Sequence, residues 1–124
     1  MARWALDAAA ASPAVADGRA GIDILNVADF DLFCWTNRRW SQAVAVFDAF
    51  AFVTPECNHS FPAALKNALD HLYSEWQHKV AGFVGYGTSG GIRAVEQLRQ
   101  VIPRRRRLFR PVGALGRMRA SRDG

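Results

Sequence analysis

Apolar positions along this chain recur with two periods, one helical and one extended, and the two alternate. Residues 2–11 (ARWALDAAAA) are helix formers dominated by alanine, and Pro13 with Gly18 marks their exit. Ile22, Ile24, Leu25 and Val27 then form a short β-type run, closed by the turn Asp29-Phe30-Asp31. Thr36 or Asn37 is placed to cap a helix in which Trp40, Val44 and Phe47 recur at i, i+4 and i+7. Residues 48–53 (DAFAFV) lack polar alternation, which predicts a strand covered on both faces. Pro62 suits the first turn of the longest predicted helix, 62–76. Phe61, Leu65, Ala68, Leu69, Leu72, Tyr73 and Trp76 line one stripe of it, while Lys66, Asp70, His71 and Glu75 occupy the other face. Residues 80–86 (VAGFVGY) predict a second buried strand, and a glycine-rich turn then leads into a helix carrying Ile92, Val95, Leu98 and Ile102.

Strands alternating with helices at this pitch predict an α/β fold with a parallel sheet. Right-handed crossovers place the loops 54–60 and 87–91 at the carboxyl edge of that sheet, where open α/β sheets bind their ligands. Trp40, Phe47, Tyr73 and Trp76 are expected in the core or at an interface rather than around a cofactor.

Charge changes the picture only at one end. The chain of 124 residues carries a formal net charge of +5. From Arg104 onward there are eight arginines against Asp123, a local +7 that leaves the preceding residues at −2. The domain is expected to run from 1 to 102, with 103–124 an arginine-rich, disordered tail. Clustered arginine neutralises phosphate, but no nucleic-acid-binding motif accompanies it, so no specific nucleic acid is expected. No stretch approaches the roughly 20 apolar residues a membrane helix needs, and a cytoplasmic chain without a membrane partner is the expectation. Cys34 and Cys57 show no CxxC pairing, and His71 and His78 lack a third ligand at matching spacing. Reduced thiols and no metal follow.

Two loops carry the candidate chemistry. Thr54-Pro55-Glu56-Cys57-Asn58-His59-Ser60 is stiffened by proline and held by a strand end, so its peptide groups and short polar side chains suit a flat polar ring edge. A capped βα turn of no further meaning explains the same residues. Gly87-Thr88-Ser89-Gly90-Gly91 opens onto a helix, where free N–H groups and the helix dipole suit an anion or a carbonyl oxygen. It matches neither the Walker pattern nor GxGxxG.

The segment Thr54-Pro55-Glu56-Cys57-Asn58-His59-Ser60-Phe61-Pro62-Ala63-Ala64-Leu65-Lys66-Asn67-Ala68-Leu69-Asp70 resembles the motif T-P-E-Y-N-x-S-x-P-x-x-L-K-N-A-x-D of the NAD(P)H-dependent FMN reductases. Only Cys57 departs from it, standing where the family has tyrosine. Lys79, the turn from Gly87 to Gly91, Arg93-Ala94 and Leu98-Arg99 also agree, and weaker similarity extends back to Arg3.

The resemblance implies a flavodoxin-like open parallel sheet with flanking helices, and FMN at its edge. Thr54, Pro55, Glu56, Cys57, Asn58 and Ser60 would border one side of the flavin ring, with Gly87, Thr88, Ser89, Gly90 and Gly91 on the other. NAD(P)H would reduce the FMN, which passes electrons to a small acceptor such as a quinone. No side chain need act as acid or base, so no catalytic residue is assigned. The family further implies a homodimer or homotetramer through helix 62–76. Its first strand and phosphate loop have no counterpart here, and Pro103 with the arginine run replaces its fifth strand, so the sheet is expected to lack its first and fifth strands. Two other readings remain open from the sequence: a non-catalytic remnant that at most oligomerises, and an arginine-tail binding module.

Overall fold

A computed structural model describes residues 2–32, 37–104 and 109–111. Ten elements follow one another. They are α1 (Ala2–Ala10), α2 (Pro13–Ala16), a 3-10 turn (Val27–Asp29), α3 (Arg38–Ala45), β1 (Ala49–Pro55), α4 (Ala63–Asp70), a second 3-10 turn (Ser74–Trp76), β2 (Lys79–Tyr86), α5 (Ile92–Arg104) and β3 (Phe109–Pro111). The sheet is parallel with order β1-β2-β3. Its register pairs Ala49 with Val80 through Pro55 with Tyr86, so both strands end side by side at the edge that carries the two loops.

The core lies where the helices meet the Phe50-Phe52-Thr54 face of β1. Trp40, Val44, Ala68, Leu69, Trp76, Leu98 and Ile102 are buried there. The end of α4 shows how the aromatic residues set an element boundary. A helix leaves its last carbonyls without intrahelical donors. Trp40 Nε1 donates to Ala68 O at 2.9 Å and Trp76 Nε1 donates to Leu69 O at 3.1 Å, which satisfies two of them inside the core. The terminus of α3 is treated alike: Lys79 Nζ donates to Val44 O at 2.6 Å and to Ala45 O at 3.2 Å. A cation at a helix C-terminus is also favoured by the dipole. Burial holds the Lys79 ammonium below its ordinary pKa, against the opposing pull of Asp48 and Glu75.

Several expectations are corrected. The run Ile22 to Val27 is not a strand; residues 21–26 are irregular and lead into the 3-10 turn. The expected helix 62–76 breaks after Asp70, because Tyr73 adopts φ −132° and ψ −65° and the Trp76 indole turns inward onto Leu69 O. Pro62 stands as the N-cap of α4 rather than in its first turn. β1 is not covered throughout on both faces, since Ala51 is exposed. Tyr73 is 68% exposed, so it leaves the core that Trp40 and Trp76 share.

The sheet is short, as expected. Beyond β2 it gains only the three-residue β3, where no strand was expected; main-chain pairing to Lys79 and Ala81 of β2 requires no apolar signature. Pro103 and Arg104 complete α5, while 105–108 and 112–124 of the expected tail, like Cys34, Trp35 and Thr36, lie outside the described residues. Glu56 N–H donates to Tyr86 O and Val80 N–H to Asp48 O, so residues 48, 50, 52, 54 and 56 direct their peptide groups to β2. Ala49, Ala51 and Val53 therefore direct their peptide groups to the other edge, where no described strand pairs with them. That edge borders a groove of about 1870 Å³, lined also by Leu25, Val27, Phe30 and Leu65. Among the described residues no helix is long and apolar enough to cross a membrane.

Candidate functional site

The register of β1 on β2 sets the bases of the two loops singled out by sequence side by side. Thr54 ends the buried part of β1 and is 1% exposed; its hydroxyl donates to Pro55 O at 3.0 Å. One residue on, Glu56 N–H donates to Tyr86 O at 2.9 Å, carrying the ladder past the end of β1 and joining the base of one loop to the other.

From Glu56 the chain makes a tight reversal. Cys57 N–H donates to Ser60 O at 2.8 Å and Ser60 N–H donates back to Cys57 O at 3.0 Å. Between them Asn58 has φ 47° and His59 has φ 64°. Two successive positive φ values define a type I′ turn, in which asparagine is common at the first position and glycine at the second. His59 therefore sits in a conformation that costs of order 1 kcal/mol, and strain of this kind concentrates at ligand sites. Cys57, Asn58 and His59 are exposed, and Cys57 is a free thiol.

The second loop is built around its glycines. Gly87 follows the last residue of β2, and a Cβ there would lie 3.2 Å from the Cβ of Glu56. Gly90 N–H donates to Gly87 O at 3.0 Å and Val95 N–H donates to Gly91 O at 3.1 Å, which starts α5. Gly87, Thr88, Ser89 and Gly90 are exposed. Among the described residues no hydrogen bond engages the Thr88 and Ser89 N–H groups, so two main-chain donors stand free beside a helix N-terminus. No group of three histidine, cysteine or carboxylate side chains that could hold a metal occurs among the described residues.

One contributor escaped sequence reasoning. Arg93 Nη1 donates to Glu56 Oε1 at 3.0 Å across the two loops. The residues are 37 positions apart on different elements, so no local spacing signals the pair. The only sequence clue is that both fall within matched parts of the family pattern.

Comparison with known proteins follows the same lines. The sequence matches the family described as NADPH-dependent FMN reductase over residues 1–115. Over 65 residues it is 49% identical to the NAD(P)H-dependent FMN reductase of Saccharomyces cerevisiae, covering 52% of this chain and 34% of that one. Over 64 residues it is 48% identical to the corresponding reductase of Schizosaccharomyces pombe, covering 52% and 32%. The match thus spans about a third of these relatives. Among solved structures, the fold is similar to the flavoenzyme NAD(P)H:(acceptor) oxidoreductase FerB from Paracoccus denitrificans. The TM-score is 0.62 at 25% identity, over 80% of this chain and 62% of that one.

Proposed function

The chain belongs to the NADPH-dependent FMN reductase family, and from that premise we propose that it is a flavin reductase-type domain whose FMN takes electrons from NAD(P)H and passes them to a small acceptor such as a quinone. FMN and NAD(P)H are the cofactors this family implies. The observation that carries the proposal is the junction of the two loops at Glu56 N–H and Tyr86 O, at the carboxyl ends of adjacent parallel strands.

The residues present fit the flavin ring. A Cβ at Gly90 would meet nothing within 4 Å, so the outer rim of the second loop is open to a ligand. The free N–H groups of Thr88 and Ser89 suit carbonyl oxygens, and the hairpin 57–60 presents peptide groups and the Asn58 amide to a polar ring edge. Bound flavin supplies the hydride chemistry; the chain binds it and orients it. Thr54 and Glu56 hold the strand end rigid, and the reversal at Asn58-His59 fixes where the hairpin's donors point. No described side chain is required to move a proton.

Cytoplasmic residence and self-association belong to the same proposal. Self-association is supported by exposed Tyr73 in the segment 62–76.

The test is titration of the purified chain with FMN, followed by flavin fluorescence and NAD(P)H oxidation at 340 nm, a standard nicotinamide wavelength. Saturable quenching with flavin-dependent NAD(P)H consumption is expected. Absence of quenching at FMN concentrations of about 1 mM, roughly a 4 kcal/mol interaction, would remove the reading. Sedimentation velocity of the same sample reports self-association, and a single monomeric species would remove that part alone.

A further inference from the structure

Glu56 is an unusual carboxylate. Its side chain is 11% exposed, yet only one oxygen has a partner: Oε1 accepts from Arg93, while Oε2 is buried without a hydrogen bond. Burying a carboxylate oxygen unpaired is costly, and so is removing the one partner of a buried charge. A tie whose only role was to decorate the surface would leave both oxygens in water.

Arg93 is oddly placed as well. It is the second residue of α5, where a cation faces the positive end of the helix dipole, and the first turn of α5 contains no acid. Glu56 supplies that missing anion from the neighbouring loop. The carboxylate thus compensates an unfavourable charge at the start of α5 and fastens that start to the end of β1. Gly87 completes the arrangement, since its lack of a Cβ lets Glu56 approach the first residue of the second loop.

We infer that the Glu56–Arg93 pair is a clamp that fixes the loop Gly87–Gly91 against the loop Thr54–Ser60, and that Glu56 is thereby a positioning residue for the flavin ring. The ligand half of this inference rests on the flavin reading above; the clamp itself rests on the ligand-free geometry. Glu56 acts through Arg93 on the spacing of the loops, so its loss lowers affinity for the ring whatever is attached to it.

The experiment compares the full chain with Glu56→Gln, Arg93→Gln and the double variant. The double variant leaves neither charge buried without its partner, so it retains the fold even where a single change weakens it. Two probes are titrated: FMN, and lumiflavin, which is the ring without the ribityl phosphate. Each single variant is expected to weaken both probes by about tenfold, and the double variant by no more than either single one, because residues acting as a unit are non-additive. Unchanged affinity in the single variants, or a double variant weakened by the product of the two, overturns the clamp. Weakening confined to FMN overturns the assignment to the ring.

Amide hydrogen exchange of the ligand-free chain supplies the independent readout. The hydrogen-bonded amides of the loop and its junction, Glu56, Gly90 and Val95, are expected to exchange about tenfold faster in either single variant, with the amides of α3 and α4 unchanged. If wild-type chain binds neither probe, the flavin reading fails, and exchange alone decides: faster exchange confined to this loop upholds the clamp, and unchanged exchange overturns it.

Discussion

Trp76→Ala is expected to destabilise the fold by about 3–5 kcal/mol, the range for removing a buried aromatic side chain. The indole is 1% exposed and packs against Phe50, Trp40 and Phe52, with ring centroids at 5.1 Å, 6.1 Å and 6.3 Å respectively. Such pairs add about 0.5–1.5 kcal/mol each beyond the area they bury. Truncation also leaves Leu69 O without its donor at the buried end of α4. Against a domain stability of about 5–15 kcal/mol, this loss consumes about a fifth or more of the total. Chemical denaturation measures it. Trp76→Phe separates the two causes, since it keeps most of the ring contact and loses the donor, and about 1–2 kcal/mol is expected from that alone. A loss below about 1 kcal/mol for Trp76→Ala would mean that the aromatic cluster is not the support of this sheet. The site feels the change as well, because Phe50 and Phe52 lean on Trp76 and β1 carries the first loop.

The parts legible from sequence are those whose signal is local. β1, β2 and α5 announce themselves by continuous apolar runs and by helical recurrence of Val95, Leu98 and Ile102. Both loops follow from strand ends, and the family motif fixes their residues. What sequence could not supply depends on partners distant in the chain. Ile22 to Val27 has the composition of a strand, but a strand exists only where a neighbour pairs with it, and here both this run and the free edge of β1 line a groove. The break after Asp70 is hidden because a helix and a turn followed by a 3-10 segment can both bury Leu72 and Trp76. The side chains that reinforce that turn come from elsewhere or from within it: Ser41 Oγ donates to Glu75 Oε1 at 2.6 Å, and Glu75 Oε2 accepts from Tyr73 N–H and Ser74 Oγ. Desolvation opposes ionisation of Glu75, but these hydrogen bonds outweigh it and hold the carboxyl below its ordinary pKa. β3 is read poorly for the opposite reason: three residues pair through the main chain with no pattern in their side chains.

Gly91→Ala is expected to be as severe as any single change in the chain, at about 3 kcal/mol or more, with loss of flavin affinity. Gly91 has φ +71°, a conformation that costs an L-residue about 1–2 kcal/mol. The larger contribution is steric. A Cβ built at Gly91 would strike Tyr86 N and lie 2.6 Å from Gly85 C and 2.7 Å from Gly85 Cα. All three are backbone atoms of β2, so no side-chain rotation relieves the contact, and the start of α5 must move off the strand. That movement would displace Arg93 from Glu56 and widen the gap between the loops. Gly90→Ala is the internal control. Its φ is +67°, almost the same, but a Cβ there meets nothing within 4 Å. It should lose only the backbone cost, about 1 kcal/mol. The difference between the two variants isolates the close approach of α5 to β2 from the conformational preference of glycine. Equal losses would show that the approach is looser than these distances describe; a larger loss at Gly91, with weakened flavin binding, would show that the site depends on this one point of backbone contact.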